Sequence, residues 1–241
     1  ALGNQDYQLP MLGKYNVENA LAAINLCQDL GLSTEQIASA MKEFLGVEGR
    51  MQIMKVSPVT VIVDFAHNAD SLVNSLKTVN NLKTYGNRVI TVFGSAGLRD
   101  IEKRYTMGQA AAENANIVVI TAEDPRTESL EKINSQIVEG TQMGGSRHIR
   151  RFKNTKEYEF FSKRVKDPKL DIMDKSVFVF DEENINSRYD AIEFAIRIAT
   201  PGDIVITEGK GHEKSLCFDT VEYPFTDQEA VERAFRNLQL K

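Results

Sequence analysis

The stretch TEGKGHEKS (207–215) sets Lys210, His212 and Glu213 around two glycines, directly after the apolar run Ile204-Val205-Ile206. It is not a nucleotide P-loop, because no Ser or Thr follows Lys210 and the upstream glycine spacing is wrong. It is not a zinc site either, since His212 has no second histidine at helical spacing and the chain holds three histidines in all. What remains is a tight loop that lets a ligand approach backbone, with Glu213 able to receive an ammonium group. Three other polar clusters also follow apolar runs. DFAHNAD (64–70) offers Asp64 and His67, either an N-cap and a surface histidine or a ribose-binding carboxylate beside a phosphate-side imidazole. FGSAGLRDIEKR (93–104) offers Arg99, Lys103 and Arg104, which either bind anions or form a solvated helix face; its glycine spacing does not match a dinucleotide fingerprint. In TAEDPRTE (121–128), Pro125 fixes a turn from which Arg126 projects, either as an ordinary surface arginine or as a bidentate carboxylate clamp.

These clusters need strands to carry them. VTVIVDF, RVITVFG, NIVVIT, SVFVFD and DIVITEG are short, nearly continuous apolar runs. They alternate with segments of helical spacing, which predicts βαβ units with right-handed crossovers and a mostly parallel sheet covered by helices on both faces. In such a sheet ligands bind outside the carboxyl ends of the strands, where all four clusters fall. SLCFDTVEYPF (215–225) predicts an antiparallel edge hairpin around Asp219-Thr220, before a final helix over 227–238. Residues 15–45 read as helix, turn, helix, with Asn16 capping the first helix and Ser33 or Thr34 the second. The glycine-rich GVEGR (46–50) is the candidate boundary. This divides the chain into a short helical segment, 1–48, and an α/β domain, 49–241. The charged residues 152–175, with Tyr158, Phe160 and Phe161, read as a surface insertion carrying one short helix.

The chain has 241 residues, 42% hydrophobic and 26% charged, with a net charge of −5. That is enough to bury a real core. The charge excludes the overall basic surface that duplex nucleic acid attracts, apart from one local basic stretch, Arg147 to Lys166. No window reaches the run of roughly 18 apolar residues that a membrane span needs. The opening ALGNQDYQLP has no signal-peptide pattern, lacks methionine and reads as mid-loop, so the chain looks like a piece of something longer. Cys27 and Cys217 lie far apart in apolar surroundings and read as buried free thiols, which suits a cytoplasmic location.

Taken in order, GKYNVENALAA (13–23), GVEGRMQ (46–52), VDFAHNADSL (63–72), VFGSAGLRDIEKRYTMGQAAAENA (92–115), ITAEDPRTES (120–129), SRYDAIEFAI (187–196) and GDIVITEGKGHE (202–213) resemble the C-terminal part of the Mur ligases. The likeness is greatest to the members that add the third amino acid of the peptidoglycan stem peptide. It implies a Rossmann-like domain preceded by the last helices of a central ATPase domain. The N-terminal and central domains, with the P-loop and most of the Mg2+ machinery, would lie elsewhere in the same protein, so this part alone would be inactive and would hold no metal. The implied chemistry is ATP-dependent amide formation: the carboxylate of UDP-N-acetylmuramoyl-L-Ala-D-Glu becomes an acyl phosphate, which the incoming amine attacks. By the same resemblance Asn19, Arg50, Asp64 and His67 would bind ATP, with Arg50 and His67 at its phosphates as the catalytic pair. Arg99, Asp124, Arg126, Gly209 and Glu213 would hold the amino acid.

One departure bears on specificity. The family's diaminopimelate enzymes commonly read Asp-Asn-Pro-Arg where this chain reads Glu123-Asp124-Pro125-Arg126. Arg126 favours meso-diaminopimelate; Asp124, which as a carboxylate only accepts, favours lysine or ornithine unless it pairs with Arg126 or faces an amine. The run FGSAGLRD also departs from the family's Cys-Gly-Gly-Asp-Arg-Asp. The competing readings are a related ligase of the folyl- or poly-glutamate synthetase type and a non-catalytic nucleotide or amino-acid binding module. The missing glycine fingerprint argues against an oxidoreductase or methyltransferase.

Overall fold

A computed structural model describes residues 5–55 and 58–239. Residues 1–4 of the helical segment lie outside the described residues. Two helices come first, α1 (Lys14–Asp29) and α2 (Thr34–Glu43). Asn16 does not cap α1: it sits inside the first turn, buried, and donates to Leu12 O at 2.6 Å. Ser33 caps α2 in a reciprocal capping box with Gln36.

The α/β part runs β1 (Gln52–Lys55), β2 (Thr60–Val63), α3 (Ala69–Asn80), β3 (Val89–Phe93), α4 (Glu102–Asn114), β4 (Ile117–Ile120), α5 (Leu130–Met143) and β5 (His148–Phe152). It continues through α6 (Thr155–Ser162), α7 (Pro168–Asp171), β6 (Ser176–Phe180), α8 (Asn186–Ile198), β7 (Ile204–Thr207), β8 (Ser215–Phe218), β9 (Val221–Pro224) and α9 (Asp227–Asn237). Seven strands form one sheet in the order β1-β2-β7-β3-β4-β6-β5, parallel except for β1. Each central strand is apolar on both faces because each face is covered. Val61, Val63, Ile117, Val119 and Val205 pack towards α8 and α9, while Ile62, Val118, Ile120 and Ile206 pack towards α3, α4 and α5. That period of two is the geometry of a strand.

The hairpin β8–β9 forms as expected, but as a separate two-stranded sheet; the antiparallel edge of the large sheet is β1. The segment 152–175 differs from the reading of a surface insertion. It holds two helices, and Phe152, Tyr158 and Ile172 are part of the core against α8. With β5 pairing in parallel to β6, it is a regular sheet crossover. Both cysteines are free, Cys217 buried and Cys27 half-buried. Among the described residues no helix is long and apolar enough to cross a membrane.

Candidate active site

The four polar clusters follow β2, β7, β3 and β4, which are consecutive in the sheet, so the parallel ladder delivers them to one edge. There they line two clefts. The first, of about 510 Å³, is bordered by Asn19, Arg50, Asp64, Phe65, His67 and Tyr15 among others. The second, of about 460 Å³, is bordered by Phe65, His67, Arg99, Lys103, Glu123, Asp124, Arg126 and Glu213. The pair Phe65 and His67 is common to both. The four residues assigned to nucleotide therefore meet in one cleft. Four of the five assigned to amino acid meet in the other.

The first cleft joins α1 to the sheet. Asp64 is 7% exposed, and both its oxygens accept backbone N–H groups, Oδ1 from Met51 at 2.8 Å and Oδ2 from Ala66 at 3.0 Å. It pins the turn that carries Arg50, a structural task the sequence reading did not assign, and each oxygen keeps a lone pair for a ligand hydroxyl. The Arg50 guanidinium lies over the Phe65 ring at 4.4 Å from its centroid. The same ring meets His67 at 5.0 Å and His212 at 4.7 Å. Stacking orients the guanidinium while leaving its N–H groups available for an anion. His67 precedes Asn68, whose side chain caps α3 by accepting from Ser71, so the imidazole sits at a helix N-terminus. Burial raises the Tyr15 hydroxyl well above its ordinary value, with the nearby Asp64 and Glu208 carboxylates adding to it.

Glycines make the close approach possible. A Cβ on Gly49 would lie 2.1 Å from the carbonyl carbon of Gly211, so the GVEGR join and the GKGHE loop touch backbone to backbone. Both residues have positive φ, 67° and 49°.

The second cleft is built round Lys210. This side chain has no solvent exposure, and its Nζ lies 2.8 Å from Asp124 Oδ1 and 2.6 Å from Glu213 Oε2. Asp124 Oδ1 also accepts the Cys217 N–H at 2.9 Å, and Oδ2 lies 3.9 Å from Arg126 Nη2. Asp124 therefore faces both the Lys210 ammonium and the Arg126 guanidinium. Arg126 donates from Nη1 to Gly97 O at 3.0 Å. Asp124 and Arg126 both adopt positive φ, 44° and 55°. Their backbone is held by Gly97 N–H to Asp124 O, Arg126 N–H to Cys217 O and Asp219 N–H to Arg126 O. Non-glycine residues kept in that region at a cleft are the kind of strain found at ligand sites.

Glu123 is 7% exposed, its Oε2 has no hydrogen-bond partner, and burial pushes its carboxyl up to about 7 against the pull of Lys103, Arg188 and Lys210. Gly209 does not line the cleft; its backbone runs behind Glu123, with an added Cβ only 3.4 Å from Glu123 Cγ. Arg99 is exposed at the rim and Lys103 reaches His67 O at 3.3 Å. Arg104 is neither an anion ligand nor a solvated side chain. It is fully buried, paired with Glu128 at 2.8 Å, and bonded to Gln136 and Ala96 O. Its guanidinium holds the Glu128 carboxyl down at about 2. Arg188, also fully buried, ties the ends of β4 and β7 to α9 by donating to Ala122 O, Glu208 O and both oxygens of Asp227. Lys210, Phe65 and Glu123 were missed as site residues. The one available signal was position: Lys210 lies between two glycines, and Phe65 and Glu123 stand next to assigned residues.

No group of three or more His, Cys, Asp or Glu among the described residues is placed to hold a metal ion.

Comparison with known proteins shows the family and the fold. The family model for the Mur ligase, glutamate ligase domain, matches residues 49–211. The UDP-N-acetylmuramoyl-L-alanyl-D-glutamate–2,6-diaminopimelate ligase of Geobacter metallireducens is 34% identical over 244 residues, covering 100% of this chain and 43% of that protein. The enzyme of the same name from Trichormus variabilis is 36% identical, covering 96% and 40%. The chain thus spans about two fifths of the length of these relatives. A solved diaminopimelate ligase of that name superposes with a TM-score of 0.64 at 29% identity, over 98% of this chain and 41% of its own. The folylpolyglutamate synthase of Mycobacterium tuberculosis, at 15% identity and a TM-score of 0.53, shares the fold. The chain belongs to the Mur ligase family, and residues 49–211 carry its ligase domain.

Proposed function

We propose that this chain is the C-terminal part of an ATP-dependent ligase that joins meso-diaminopimelate to UDP-N-acetylmuramoyl-L-Ala-D-Glu in peptidoglycan synthesis. The observation that carries the reading is the pair of clefts sharing Phe65 and His67. One offers groups suited to a nucleotide and the other groups suited to a zwitterion with a second charged end, and the ligands would meet at the shared wall. The relatives named as diaminopimelate ligases support the choice of substrate.

In this account Asn19 and Asp64 hold the nucleoside, and Arg50 and His67 face its phosphates. ATP phosphorylates the dipeptide carboxylate to an acyl phosphate. The amine then attacks the acyl carbon, forming a tetrahedral intermediate that expels phosphate. The chain contributes positioning and charge: Arg126 takes the distal carboxylate, and Glu213, with Gly209 behind the cleft, takes the distal ammonium. Arg99 guards the rim.

Residues 1–48 then belong to the end of a preceding domain. Val17, Leu21, Leu26, Leu30 and Leu45 are exposed on or beside α1 and α2, and an apolar groove of about 470 Å³ runs between these helices. Such a face fits a helical pair whose partner is the ATPase domain.

The direct test is amino-acid-dependent phosphate release by the full-length protein with ATP, Mg2+ and UDP-N-acetylmuramoyl-L-Ala-D-Glu. Diaminopimelate, lysine, ornithine and glutamate are compared in parallel. Turnover with diaminopimelate is expected; preference for lysine would keep the ligase and reassign the amino acid. No release with any of them would end the ligase reading.

A further inference from the structure

We propose that Lys210 is the positioning residue of the amino-acid cleft and that, through Asp124, it sets how strongly Arg126 takes a second carboxylate. The inference rests on reading the second cleft as the amino-acid site. Its basis is a count of charges at fixed distances. One buried ammonium, at 0% exposure, is shared by two carboxylates, Asp124 at 2.8 Å and Glu213 at 2.6 Å. A buried lysine requires such partners, because leaving its charge unpaired away from water is prohibitive. Both acids are thereby fixed in place in the lining of the cleft.

The two acids are used differently. Asp124 spends Oδ1 on Lys210 and on the Cys217 N–H, which leaves only Oδ2, facing Arg126 at 3.9 Å. Arg126 is therefore partly neutralised before any ligand arrives, and a distal carboxylate must displace that field. Glu213 spends Oε2 on Lys210, and its side chain is 39% exposed, leaving Oε1 for a ligand ammonium. Lys210 and Arg126 balance Asp124 and Glu213 in charge, so the bias comes from placement: Asp124 lies against Arg126 and weakens its pull on a carboxylate, which narrows the advantage of a substrate that carries both charged ends.

Asparagine at 124 isolates the effect. Its Oδ1 still accepts from Lys210 and Cys217, while an NH2 replaces the oxygen that faces Arg126 and donates to an incoming carboxylate. In the full-length enzyme, Asp124→Asn is expected to lower the KM for diaminopimelate roughly threefold to tenfold, the scale of one partly exposed charge contact. The readout is the diaminopimelate-to-lysine ratio of kcat/KM, which should rise by that same factor, while the KM for ATP, bound in the other cleft, holds. The double variant Asp124→Asn/Lys210→Met removes the buried ammonium together with one of its carboxylates, which spares the fold an unbalanced charge. Glu213 is then untethered, and the KM for both amino acids should rise about tenfold while the KM for ATP holds. A purely structural role for Lys210 would instead lower kcat and the KM-independent yield of folded enzyme alike. Wild-type turnover with an unchanged diaminopimelate-to-lysine ratio in Asp124→Asn would overturn the selectivity claim, and an unchanged KM in the double variant would overturn the positioning claim. Absence of turnover in the wild type would instead mark the failure of the ligase reading itself.

Discussion

Single residues at this site carry two loads, and Glu208 shows the structural one. It has no solvent exposure, and burial pushes its carboxyl up to about 8 against hydrogen bonds from Ser75 and Thr91. Ser75 Oγ is within reach of both Leu72 O and Glu208 Oε1, yet a hydroxyl has one proton. A protonated Glu208 resolves this by donating to Ser75 while Ser75 donates to Leu72 O. The folded-state value lies above the ordinary carboxyl value of 4.5, so the group's contribution to stability is complete below that pH and is lost as pH rises through about 8. Glu208→Gln stays neutral throughout. Urea denaturation should therefore find the variant's stability relative to wild type growing between pH 5 and pH 9, on the order of a few kcal/mol. A difference that shrinks over this range would contradict the assignment of a buried acid.

At the scale of elements, the test case is β5 with α6. The Phe152 ring meets Phe178, Phe180, Phe194 and Phe161 at centroid distances between 5.1 and 6.3 Å and is 2% exposed. Phe152→Ala should cost about 3–5 kcal/mol in denaturant unfolding, the range for a large aromatic removed from a core. A surface insertion would lose less than about 0.5 kcal/mol. The sequence HIRRF hid this strand because an edge strand shows charge on its exposed positions, so the buried alternation was carried by one phenylalanine. The central strands β2, β3, β4, β6 and β7 were legible because burial on both faces makes them almost continuously apolar. The four polar loops were legible for the same reason, each being the polar residues that follow such a run. Lys210 and Arg104 were not, because burial with partners distant in sequence leaves no local signal: Lys210 pairs with Asp124 and Arg104 with Glu128.

The whole molecule is a scaffold that sets two clefts side by side. Parallel pairing of β2, β7, β3 and β4 puts four loops on one edge, and Gly49 against Gly211 lets the chain entering from α1 and α2 close the first cleft. The central claim is that nucleotide and amino acid are bound by separable groups meeting at Phe65 and His67. Steady-state kinetics of Arg50→Ala and Arg126→Ala in the full-length enzyme test it most directly. Arg50→Ala should raise the KM for ATP about tenfold or more and leave the KM for diaminopimelate near wild type, and Arg126→Ala should do the reverse. Loss of both affinities together in either variant, with the fold intact, would contradict the two-cleft account.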